Sequence, residues 1–96
     1  MTFDEFAGSI GGSAPPAGLS PALLALWHDG CGRWEDAHSV AQDIDTKAGS
    51  WVHAYLHRKE GDEGNAGYWY RRAGVKPASG SLETEWRAIV STLLES

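Results

Sequence analysis

The sequence predicts an all-α domain of two stacked antiparallel helical hairpins, with a C-terminal capping helix and a short N-terminal helix. Three observations carry this expectation. Apolar residues recur at helical spacing through the long runs of the chain. Capping residues open those runs, and glycine or proline follows them. The link inside the central pair is so short that the chain must fold straight back on itself. Ninety-six residues suffice for one domain with a single small core. Residues 1–18 read as a short helix plus a Gly/Pro linker, and 19–96 as one helical domain with hairpins 20–44 and 47–73 and a capping helix 81–95.

The elements follow in order. Thr2-Phe3-Asp4-Glu5 matches a capping box, with Met1 and Phe6 placed to staple it, and predicts a helix over 3–7. Gly8 to Gly18 is rich in glycine, serine and proline and reads as an irregular linker. Ser20 caps the next helix, near 20–29, and Pro21 occupies its first position, where a missing donor is harmless. After the Gly30-Cys31-Gly32 turn, Trp34, Ala37, Val40, Ala41 and Ile44 mark a helix over 33–44. Asp45 or Thr46 caps a central helix, near 47–60, carrying Trp51, Val52, Ala54, Tyr55 and Leu56. Gly61 ends it and Asp62 caps the helix 63–73, in which Ala66, Tyr70 and Ala73 face inward and Ala66 is nearly fully buried. Gly74 and Pro77 stop that helix. Ser81 then caps a last one to Glu95, striped by Leu82, Trp86, Ile89, Val90, Leu93 and Leu94.

Gly61-Asp62, Ala66, Tyr70, Ala73 and the proline soon after resemble the second half of a tetratricopeptide repeat. The departure lies in the preceding helix, where His53 and His57 stand in place of a large apolar residue and an aromatic. The segment WVHAYLHRKEGDEGNAGYWYRRAG is also similar to a group of small bacterial and fungal proteins to which no activity is attached. A shift of 29 residues superposes Ala25 on Ala54, His28 on His57, Gly32 on Gly61 and Ala37 on Ala66 (54−25, 57−28, 61−32 and 66−37 each give 29). Two such units are few for stability by repetition, so the last helix, or a homodimer, must cover the remaining apolar flank.

A net charge of −5 argues against nucleic acid and anionic membrane surfaces as partners. The single cysteine, Cys31, cannot form an internal disulfide, and no run resembles a signal peptide or a membrane span. A cytoplasmic protein is expected.

Two constellations point to function. The resemblance implies that the first helix of each hairpin lines a concave surface. Trp51, Tyr55 and Arg58, joined by Leu26 and Asp29, would then form a groove for a peptide or protein partner, through stacking and a bidentate guanidinium. This non-catalytic reading is favoured. The second constellation is His53 and His57, four apart on one helix face, with Glu60 three further on and His38 at the same height on the preceding helix. Three imidazoles and a carboxylate suit zinc, the one cofactor considered, and would make a small metal-binding protein or metal-dependent hydrolase. An HxxxH pair without a glutamate between the histidines is also common in plain structural roles. The expectation here is buried rings separated by another side chain and bonded to Glu60, Asn65, Tyr70 or backbone carbonyls. The sequence His28-Asp29-Gly30-Cys31 offers a thiol beside a base, but it lies in a glycine-flanked turn with no oxyanion hole.

Overall fold

The computed structural model describes residues 1–95. Six helices follow one another: α1 Phe3–Gly8, α2 Pro21–Gly30, α3 Trp34–Ala41, α4 Lys47–Lys59, α5 Glu63–Ala73 and α6 Leu82–Glu95. No strand occurs among the described residues. Helices α2 and α3 form one hairpin and α4 and α5 a second, stacked through α3 and α4, and α6 packs across α2 and α4. None of the helices is long and apolar enough to cross a membrane.

The caps hold as read. Thr2 and Glu5 satisfy each other's backbone donors, Ser20 accepts from the Leu23 amide, Thr46 from Gly49, and Asp62 from Asn65. Both hairpins turn the same way, bond for bond. The Arg33 amide donates to the His28 carbonyl and Asp62 to His57, each at 2.9 Å. One residue earlier, Gly32 donates to Asp29 and Gly61 to Arg58. This pair of bonds is the Schellman closure, which needs a positive φ at its glycine. Gly32 and Gly61 have φ values of 80° and 87°. The 29-residue shift in the sequence is therefore a shift in backbone hydrogen bonding as well.

One boundary differs from the reading above by more than a single residue. α3 stops at Ala41 and not at residue 44. Asp43 and Ile44 instead donate to the carbonyls three residues before them, Val40 and Ala41, which tightens the chain into a turn. The turn drives Ile44 against Gly49 at the start of α4. A side chain at Gly49 would meet the Ile44 Cγ2 atom, its Cβ at 2.5 Å and its carbonyl oxygen at 2.8 Å. The absence of a Cβ at Gly49 is what lets the two hairpins join through so short a link.

The main core gathers Phe6, Leu23, Leu26, Trp27, Val52, Leu56, Ile89 and Val90. A second cluster of Ala54, Ala66 and Tyr70 fills the α4–α5 crossing, with Ala66 only 3% exposed. α6 is fixed by direction as well as by burial: the Trp86 indole donates to the Leu26 carbonyl at 3.1 Å. α1 lies over that indole through Phe3 and Phe6.

Two substitutions test these close approaches. Gly49→Ala should lower stability by about 1–3 kcal/mol through overpacking, although helix propensity alone favours alanine by about 1 kcal/mol. Ala66→Leu should cost a similar amount, about 1–3 kcal/mol, by forcing α4 and α5 apart. Urea denaturation measures both, and a midpoint at or above that of the parent protein would contradict the packing described.

Candidate metal centre

His53 and His57 project from one face of α4, one turn apart, and His38 faces them from the last turn of α3. The rings meet. His38 Nε2 and His53 Nε2 lie 3.0 Å apart, and one nitrogen from each of the three histidines falls within 4.8 Å of the others. Ring centroids are separated by 4.8 Å (His38–His53), 5.2 Å (His38–His57) and 4.7 Å (His53–His57). The expected intervening side chain is absent. Its place is outside the cluster, where two indoles press the rings together. Trp34 stacks on His38 at 5.0 Å, and Trp69 stacks on His53 at 4.0 Å. Trp34 is itself held by its indole donation to the Leu56 carbonyl.

Of the hydrogen-bond partners expected for these rings, Glu60 alone serves. Its Oε1 lies 2.7 Å from His57 Nδ1. Asn65 is taken by Asp62, and Tyr70 by Glu85. His53 and His57 are buried, while His38 is half-buried at the edge. Burial, then the neighbouring His57 and His38, pushes the His53 imidazole down to about 4. Burial first and then His57 also lower His38, with Glu60 acting in the opposite sense. A neutral pair explains the short contact, since one Nε2–H can donate to the other ring's lone pair. Neutral imidazole is also the form that ligates a metal. Two nitrogens on one tetrahedral zinc, at bond lengths of about 2.0–2.1 Å, stand roughly 3.3 Å apart, close to the separation of the His38–His53 pair.

The peptide groove is a different matter. Leu26, Asp29 and Tyr55 are buried, Trp51 is half-buried, and α6 lies over the face that the resemblance leaves open. The Tyr55 hydroxyl donates to Asp29 at 2.8 Å, and Lys59 donates to the other oxygen of Asp29 at 2.9 Å. Arg58 donates to Glu85 at 3.0 Å and to the Gly80 carbonyl, while Tyr70 donates to the second Glu85 oxygen at 2.6 Å. Burial and these carboxylates hold both phenols well above their usual range. The carboxylate foreseen from a ligand is thus supplied by the chain itself, from α6. What remains open is a cleft of about 410 Å³ whose lining includes Phe3, Ile10, Asp29, Tyr55, Lys59 and Trp86.

Three participants escaped the sequence reading. Trp34 lies four residues before His38, a helical neighbour that the spacing could have flagged. Trp69 reaches His53 only through the α4–α5 crossing, and Glu85 sits between apolar positions with nothing to mark it as buried. No protein-family model, curated protein or solved structure matches the chain.

The His53 shift has a definite sign. The unfolded ring, with an ordinary value of 6.5, takes a proton before the folded ring does at about 4. Stability from neutral His53 is therefore complete above pH 6.5 and falls away as the pH drops toward 4. Metal-free protein should lose denaturation midpoint across that window, and His53→Gln should flatten the loss. An identical slope in both proteins would show that His53 is not the group responsible.

Proposed function

We propose that this protein binds one transition-metal ion of the zinc class through His38, His53 and His57. The observation that carries this reading is the convergence of three imidazoles from two helices, with two ring nitrogens 3.0 Å apart. The donor set chooses the metal. Imidazole suits zinc, copper, nickel and iron, whereas magnesium and calcium require oxygen ligands. The lowered affinities of His38 and His53 for protons remove the main competitor at neutral pH.

The ion would serve two ends. His38 belongs to the first hairpin and His53 and His57 to the second, so a shared ion clamps α3 to α4 across the Gln42–Thr46 turn. Its binding free energy then becomes folding free energy. Three protein donors also leave a coordination position for water, as in sites where zinc acts as a Lewis acid. The peptide-groove reading is set aside because Arg58 and Tyr55 are already paired with Glu85 and Asp29.

Metal analysis of protein purified without a histidine tag tests the proposal. One zinc per chain is expected after loading and dialysis, and none for His53→Ala. Free zinc at about a hundred times Kd should add about 2.7 kcal/mol. For a chain of this size that is a rise in Tm on the order of 10–20 °C. The metal-free His53→Ala protein, checked as helical by circular dichroism, should show no rise. A parent protein that takes up no zinc and melts unchanged in its presence would end this reading.

A further inference from the structure

We infer that Glu60 is a positioning residue that fixes the tautomer of His57, holding its proton on Nδ1 and leaving Nε2 bare. In its metal role the inference rests on the reading above. As a statement about the free protein it rests on geometry alone.

The geometry begins with the end of α4. Glu60 is the C-cap residue, its amide bonded back to the Leu56 carbonyl, and Gly61 then turns the chain away at φ 87°. That turn leaves the Glu60 side chain beside the last helical turn, three residues from His57. An ionised carboxylate accepts hydrogen bonds and cannot donate them. A contact of 2.7 Å with Nδ1 therefore requires the proton to sit on Nδ1. The Nε2 lone pair is then free for a metal. A carboxylate on the far nitrogen also makes the imidazole a stronger donor.

The protein carries its own contrast. His28 occupies the same place in the first hairpin, 29 residues earlier, where Cys31 corresponds to Glu60. His28 Nδ1 is buried and has no hydrogen-bond partner among the described residues. The same helix end is thus present twice, and only the copy with a carboxylate faces two further histidines. Asp62 lies near enough to be considered in place of Glu60. Its two oxygens are already engaged by the backbone and side chain of Asn65.

Two measurements test the inference. In metal-free protein at mildly alkaline pH, long-range proton–nitrogen correlation spectra should show His57 protonated on Nδ1. Glu60→Ala should shift it toward the Nε2–H form, and Glu60→Gln, whose amide oxygen still accepts, should restore most of the Nδ1–H form. Zinc competition against a chelator should then show about 10–100-fold weaker binding in Glu60→Ala, with partial recovery in Glu60→Gln. The zinc count should stay at one per chain, and the visible spectrum of the cobalt-loaded protein should keep its shape. An unchanged tautomer in Glu60→Ala would overturn the inference. A changed cobalt spectrum, or a lost zinc, would also overturn it by making Glu60 a direct ligand. If the parent protein binds no zinc while the tautomer responds as described, the metal reading falls and the positioning role stands.

Discussion

Everything in this fold depends on how closely two helices can approach after a glycine turn. Gly32 and Gly61 take a backbone conformation that other residues adopt only at a cost, and so close α2 and α4 without a loop. The helices that follow must lie directly against their partners. A small residue is needed at each crossing, and Ala37 and Ala66 supply it, both buried. The same closeness sets what the neighbouring positions can do. Residues one turn apart on α4 face α3 at short range, so two side chains of α4 and one of α3 share one small space.

The two faces of α4 solve opposite electrostatic problems. On the α6 side, Asp29 and Glu85 are charged groups taken out of water, and each is met by a cation and a phenol. Such a pair adds little net stability, because desolvation offsets its attraction, but removal of one partner is costly. It does set α6 in one register. On the α3 side, burial acts on imidazoles, which can give up their charge and remain as neutral donors. One face therefore holds paired carboxylates, and the other holds His38 and His53, whose hold on a proton burial weakens.

Local chemistry was legible in the sequence wherever one residue decides one bond. Thr2, Ser20, Thr46 and Asp62 cap as their types demand, and Gly61 ends its helix as expected. Ile44 was misjudged because it continues the apolar spacing of α3, while its actual place is fixed by a contact with Gly49 across the turn. The histidines were legible as a set through equal distance from the α3–α4 turn. Their contact was not, because the indoles that force it come from positions whose neighbours only tertiary structure defines. The internal partners of the expected groove residues were illegible for a related reason. An apolar stripe on α6 announces that the helix covers something. It does not announce that a glutamate within that stripe will take up Arg58.

The bond from Trp86 to Leu26 spans 60 residues, whereas each hairpin closes over its own turn. Loop-closure entropy grows with the length of chain that must be brought together, so local pairs form ahead of distant ones. Of the contacts that define the fold, those of α6 therefore carry the largest closure cost. Without α6, Leu26 would lose the Trp86 indole and Arg58 its Glu85 partner. The face that the sequence suggests as open is thus the one α6 covers, and Glu85 is the group that takes up its guanidinium.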